Sequence, residues 1–320
     1  MQQPTQRLAL VDAARGVAIL AMAVYHLAWD LTYYGLFATD VTTDPAWKLF
    51  QLAILSSFLL LVGIGLVLGH GEGVRWPAFR RRFAILVAAA LAVTAGTYWM
   101  FPDYFVYFGI LHAIALFSLL ALPFLKLHPG LLLAAALAFI VPPFLFGAPE
   151  FAQRHLAWIG FWSTLPQTTD IVPVFPWFGV VLTGMALARL AAPFRGRLAA
   201  FTARGPLGRA LVLAGRWSLL IYLVHQPLLL GAVWAYTALV PPVLQPDVLQ
   251  PAVLSREESF TQSCAATCEA GQTAAWCASY CGCALEQVAE ADLWDTLDQA
   301  GPERDAALAP ITRLCAAMAE

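Results

Sequence analysis

Four ionisable residues, Asp12, Arg15, His26 and Asp30, interrupt one otherwise apolar stretch near the N-terminus. A charge inside an apolar helix is costly and marks a cavity or a site of chemistry. At about 100° per residue, with Arg15 set at zero, His26 falls at about 20°, Asp12 and Asp30 at about 60°, and Tyr33 back at zero. All five therefore share one stripe. Arg15 and His26 stand about 16 Å apart along the axis. Asp30, one turn after His26, is placed to orient its imidazole and raise its basicity, as a general base requires. The plainer account pairs Asp12 with Arg15 locally, packs His26 as a satisfied histidine and leaves Asp30 at an interface. Trp29 lies beside both His26 and Asp30. Two more histidines fall in apolar stretches: His112 in FGILHAIAL, and His225 in SLLIYLVHQPLLL, where Gln226 and Pro227 follow it. Each alone reads as core packing, and the three together favour a shared polar cavity.

The elements that carry these residues are membrane helices. Of the 320 residues 60% are hydrophobic and 12% charged, and mean hydropathy is +0.71. A soluble domain carries about 25% charge, so lipid must solvate most of this chain. Seven stretches reach about 20 residues: 8–34, 47–69, 83–101, 106–126, 130–147, 173–191 and 217–240. Pro142 and Pro143 end or kink the fifth. The aromatic segment 151–165 reads as an interfacial or re-entrant piece. Trp47, Trp76, Trp99, Trp158, Trp162 and Trp177 lie at span ends, as an interfacial belt does. The first stretch holds Asp12 and Arg15 and lacks a small-residue cleavage pattern, so it reads as a retained helix rather than a signal peptide.

Basic residues set the orientation. With the N-terminus inside, the inner segments hold 13 positive residues: Arg7, Arg15, Arg75, Arg80, Arg81, Arg82, Lys126, Arg189, Arg195, Arg197, Arg204, Arg209 and Arg216. The outer loops hold Lys48 and Arg154. Seven spans then put the C-terminus outside, in the periplasm of a bacterium, with the inner (plasma) membrane as the location.

Charge and cysteine both divide the chain near residue 254. Residues 1–253 carry 15 Lys+Arg against 9 Asp+Glu, net +6, and residues 254–320 carry 3 against 11, net −8. All six cysteines are in the tail. We expect a transmembrane bundle over 1–240, a Pro-rich linker over 241–253, and an acidic, disulfide-rich helical domain over 254–320. Disulfides belong to oxidising compartments, which agrees with the arginine bias. Cys264 and Cys268, and Cys277 and Cys281, are spaced i,i+4, so each pair shares a helical face. Two such helices packed antiparallel favour Cys264–Cys281 and Cys268–Cys277, which leaves Cys283–Cys315. Six cysteines allow 15 connectivities, so other pairings stay open. Zinc is the rival reading, weakened by the lack of histidine and by the compartment.

The segment RLALVDAARGVAILAMAVYHLAWD (7–30) resembles the start of the heparan-α-glucosaminide N-acetyltransferase catalytic-domain family, in its short bacterial branch. FGILHAIAL (108–116), PWFGVVLTGMALARL (176–190) and RWSLLIYLVHQPLLL (216–230) look similar too. The interval from Arg15 to His26 also resembles that of acyltransferase-3-like membrane transferases. The resemblance implies an acyl-CoA-dependent acyltransferase that moves an acyl group, typically acetyl, from the cytosolic side to a sugar hydroxyl or amine on the far side. On that reading His26 and Asp30 are catalytic, and Arg15 and Asp12 meet the CoA. His112, His225, Tyr33 and Trp29 line the acceptor site. Membrane lipid and a glycan are then the partners, with an envelope protein a candidate for the tail, and no metal and no nucleic acid is expected. The competing accounts are a proton-coupled transporter that uses the His/Asp/Arg stripe as a relay, and a non-catalytic envelope scaffold.

Overall fold

In the computed structural model, residues 8–240, 256–268, 272–291, 293–297 and 302–319 are described. The expected linker lies outside them. The chain forms two compact units, Met1–Pro242 and Val243–Glu320, and each is treated separately below.

The first unit is all helical. Its helices are α1 (Ala9–Tyr33), α2 (Pro45–His70), α3 (Trp76–Met100), α4 (Ile110–Leu120), α5 (Pro129–Ile140), α6 (Val174–Leu190), α7 (Arg195–Ala199), α8 (Gly205–Arg216) and α9 (Ser218–Leu239). The start of α2 shows how local chemistry sets a boundary. The Asp44 carboxylate accepts from the Ala46 and Trp47 N–H groups at 2.9 and 3.0 Å, and Pro45 opens the first turn, where its missing donor costs nothing.

Among the described residues, α1, α2, α3 and α9 are long and apolar enough to cross a bilayer. A fifth span results if α6 is counted with the segment Ala192–Ala199, from which it bends by 51°. The seven expected spans are therefore too many. Proline is the main reason. Leu122–Phe124, Pro142–Phe144 and Ala192–Phe194 are short 3-10 turns, each built around a proline that cannot supply the next helical N–H. They cut α4 to 11 residues and α5 to 12. The expected fourth span also loses its first residues to extended chain, where Phe108 bridges Ile171. In contrast α3 starts seven residues early, so Arg80, Arg81 and Arg82 lie on its first turns rather than in a loop. Segment 151–165 is turns and bends after a short 3-10 turn at Pro149–Ala152.

Side-chain contacts give the helix directions. The Arg15 guanidinium lies against Gly65, and Tyr25 packs on Trp47, so α1 and α2 are antiparallel. Arg82 is within electrostatic reach of Arg15, while Tyr33 meets Phe101, so α3 follows α1. On α4, His112 sits by Thr94 and Leu119 shares a cleft with Phe83. The Arg189 guanidinium donates to the Leu125 carbonyl at one end of α6, and Phe175 packs on Phe139 at the other. Arg216 faces Asp12, and Gln226 faces Asp30. Arg15, Arg82, Arg189 and Arg216 thus collect at one end of the bundle.

Small residues let the helices approach. A methyl group at Gly16 would overlap the Leu211 carbonyl on α8, and one at Gly215 the Asp12 carbonyl on α1. Gly63 stands likewise against Val181 on α6, and Gly184 against Leu60 on α2. The core between these elements includes Leu59, Phe117, Leu132, Phe178, Leu182 and Met185, all essentially inaccessible.

The second unit contains α10 (Arg256–Cys268), α11 (Ala274–Glu290), α12 (Trp294–Leu297) and α13 (Pro302–Ala319). Three bridges join them: Cys264–Cys281 and Cys268–Cys277 tie α10 to α11, and Cys283–Cys315 ties α11 to α13. Cys277, Cys281, Cys315, Ala284 and Val288 form its buried seam. A unit this small has little apolar surface to bury, so cross-links supply stability that its core cannot.

The glycine contacts make a direct prediction. Gly184→Ala places a methyl group on the Leu60 backbone and should cost about 1–3 kcal/mol, read as a thermal midpoint several degrees lower in detergent. Gly96→Ala faces open space and should leave the midpoint unchanged or raise it.

Candidate functional site

The α1–α9 junction brings together two histidines, a carboxylate and an amide. The His26 and His225 rings meet edge to face, with centroids 4.9 Å apart. One turn along, the Gln226 amide donates to Asp30 Oδ1 at 2.7 Å, and Asp30 is completely buried. His225 Nδ1 lies 2.7 Å from the Tyr222 carbonyl. A carbonyl only accepts, so Nδ1 carries the proton and Nε2 is left as an acceptor. Pro227, inside α9, gives no N–H to the turn before it, and in that turn His225 makes this bond. Tyr25 also meets His26 edge to face, with centroids 5.8 Å apart.

Three acceptor atoms here are buried without a protein partner: Asp30 Oδ2, His225 Nε2 and Gln226 Oε1. Buried acceptors are nearly always satisfied. A cluster of three can accept from a donor such as a hydroxyl or an amine. The carboxylate's protein partner is Gln226 rather than His26, so the expected one-turn Asp30–His26 pair gives way to a bond between helices.

The remaining expected residues distribute as follows. Asp12 bridges Arg15 on its own helix and Arg216 from α8, each at 3.5 Å. Together with Arg82 they make a cationic end. Gly65 leaves room for the Arg15 side chain: a Cβ there would stand 2.9 Å from its guanidinium. The stripe on α1 is thus split into a charged cluster at one end and the imidazole site nearer the other. Trp29 and Tyr33 stack at 5.5 Å beyond that site, with Tyr33 exposed. His112 stands apart. Its Nε2 is 3.1 Å from Thr94 Oγ1, whose own proton goes to the Val106 carbonyl at 2.8 Å. Nε2 is therefore the donor, and buried Nδ1 has no partner. His112 lines an apolar cleft of about 230 Å³ between α3 and α4. Two of the three histidines share a site, and the third does not join them among the described residues.

Sequence reasoning passed over Arg216, Gln226, Tyr222 and Asp170. Gln226 carried a signal, since an amide beside a histidine in an apolar helix needs a partner. Asp170 carried none, because a loop aspartate is ordinary. In the fold its carboxylate accepts from the Ile110 N–H at 3.1 Å, at the start of the helix that bears His112. Gly109 lacks the Cβ that would collide with it. Asp170 also lies within electrostatic reach of the Tyr222 hydroxyl. Burial pushes the Asp170 carboxyl above its ordinary value, and the Ile110 N–H pulls the other way.

Residues 7–227 match the family model described as heparan-alpha-glucosaminide N-acetyltransferase, catalytic. No curated protein and no solved structure matches the chain.

Asp170 gives a pH prediction. Its folded carboxyl holds the proton to a higher pH than the unfolded one. Its contribution to stability is therefore present at low pH and declines as pH rises through the window above the ordinary carboxylate value. Asp170→Asn keeps the acceptor for Ile110 and removes the charge. The difference in thermal midpoint between Asp170→Asn and wild type should shift in favour of the variant from pH 4 to pH 8. A difference that does not change with pH would contradict this reading of Asp170.

Proposed function

Because the chain belongs to the heparan-alpha-glucosaminide N-acetyltransferase catalytic family, we propose that it is a membrane acyltransferase that moves an acetyl group from cytosolic acetyl-CoA to a hydroxyl or amine of an extracytoplasmic glycan. The observation that carries this is the trio of partnerless buried acceptors around the His26–His225 pair. They suit an acceptor that brings O–H or N–H donors.

In the proposed mechanism His26 acts as general base. It takes the proton from the acceptor hydroxyl or amine as the oxygen or nitrogen attacks the thioester carbonyl. The carbonyl carbon bonds to the acceptor, the C–S bond breaks, and the proton passes from His26 to the departing thiolate. The acceptor is thereby acetylated, and CoA leaves as the thiol. His225, with its tautomer fixed by the Tyr222 carbonyl, receives the acceptor's donor group through Nε2. Asp30, held by Gln226, accepts a second donor. Trp29 and Tyr33 offer a stacked aromatic face to a sugar ring at the outer end. Arg15, braced by Asp12, meets the anionic phosphates of CoA. His112 stays outside this site, in the apolar cleft between α3 and α4. A proton relay would need His112 joined to the other two histidines, and no such contact exists among the described residues.

For orientation, we place the arginine-rich end of the bundle in the cytoplasm of an inner-membrane protein, with residues 1–240 as the catalytic bundle. Direction alternates along α1, α2, α3, α4, α5, α6 and α9, so α9 ends on the opposite face, and we assign residues 254–320 to that compartment because disulfides persist there.

Two outcomes are expected. His26→Ala should reduce acetyl transfer from labelled acetyl-CoA to an amino-sugar acceptor by about 10²–10⁴-fold, while the purified protein elutes as wild type. Wild-type rates in that variant would sink the base assignment. A periplasm-dependent reporter fused after Glu320 should be active, and a silent one would reverse the orientation.

A further inference from the structure

The cysteine-rich unit has a groove of about 650 Å³ between α10, α11 and α13, within the size range of small-molecule sites. We propose that this groove is a carbohydrate-binding site for an uncharged or amine-bearing oligosaccharide. The proposal rests on the acyltransferase reading, for which the unit would hold the acceptor chain.

Four features of the groove support it. First, Trp276 and Tyr280, one turn apart on α11, stack with centroids 5.1 Å apart and planes 10° from parallel. They form one aromatic block on the groove wall. The C–H face of a pyranose is apolar and slightly positive at hydrogen, complementary to an aromatic face. Second, five polar residues, Ser263, Thr267, Gln272, Thr312 and Arg304, share the lining with an apolar floor that includes Phe260, Leu308 and Ile311. The Thr267 and Thr312 hydroxyls donate to the Ser263 and Leu308 carbonyls at 2.9 and 3.0 Å. Their oxygens keep lone pairs for a ligand, while Arg304 and Gln272 supply donors. Mixed donors and acceptors beside an aromatic face suit the hydroxyls and the C–H face of a sugar together. Third, Cys264–Cys281 and Cys268–Cys277 fasten α10 to α11 along the groove. The walls are thus set before binding, which lowers the entropy cost. Fourth, residues 254–320 carry 11 Asp+Glu against 3 Lys+Arg. That field repels a sulfated or uronic polyanion and attracts an amine.

The test is calorimetric titration of the full-length protein in nanodiscs with three probes: a glucosamine tetrasaccharide, a sulfated tetrasaccharide, and an amphipathic helical peptide. The glucosamine tetrasaccharide should bind to wild type and to His26→Ala alike. Trp276→Ala should weaken it at least tenfold and Tyr280→Ala several-fold. Each variant is checked for intact bridges by the absence of alkylatable thiols. If Trp276→Ala fails that check, Tyr280→Ala and Thr267→Val give the reading. Absence of glucosamine tetrasaccharide binding, equal binding by the variants, or preference for the sulfated probe or the peptide would each overturn the proposal. Acetyl transfer measured on the same preparations separates the two claims. Binding that depends on Trp276 without any transfer removes the acyltransferase reading and leaves the groove. Transfer without tetrasaccharide binding removes the groove alone.

Discussion

One hydrogen bond, from the Gln226 amide to the Asp30 carboxylate, joins the first and last long helices of an apolar bundle. A buried carboxylate without partners is very expensive in such surroundings, so this bond fixes how α1 and α9 are rotated against each other. That rotation decides whether His26 faces His225 or lipid. Two close approaches support the same geometry. Gly16 and Gly215 bring α8 so near to α1 that Arg216 reaches Asp12, and Tyr25 and Trp47 pack α1 against α2. Loss of the amide would leave the His26 end of α1 to be oriented against α9 chiefly by packing, and packing tolerates small rotations that a polar site does not.

The arrangement separates two tasks along α1. One end gathers Asp12, Arg15, Arg82 and Arg216, a patch suited to an anion. The other gathers imidazole, carboxylate and amide, with acceptor atoms left open. Because α1 is a single helix of 25 residues, the spacing between the two is rigid. A donor with a long flexible arm can bridge such an interval while its charged portion stays fixed, as the proposed transfer from one face to the other requires.

Much of this was legible in the sequence, and the failures have identifiable causes. The stripe on α1 follows from helical period, and composition alone required lipid. The bridges Cys264–Cys281 and Cys268–Cys277 are those that two i,i+4 pairs on facing helices favour. The span count was overestimated because apolar content was read as continuous helix across Pro123, where the backbone turns, and because the stretch that Pro142–Pro143 ends was still counted as a span. Helix α8 was read as a loop because 12 residues that include Arg209 and Arg216 are too short and too polar to cross a bilayer. Its apolar face finds α1 instead. Asp170 was invisible because its role depends on a contact with Ile110, 60 residues away, and Gly109 gives no hint of the carboxylate that needs its missing side chain. The shared cavity for three histidines failed at His112, whose Nε2 is used by Thr94 on a neighbouring helix.

The most direct test of the account uses sealed proteoliposomes, with labelled acetyl-CoA confined to the side of the arginine-rich end and an impermeant amino-sugar oligosaccharide confined to the other. The account predicts labelled acetyl groups on the oligosaccharide with wild-type protein and near-background label with His26→Ala. Label that reaches the acceptor equally well without the His26 imidazole, or only when donor and acceptor share one side, would contradict it.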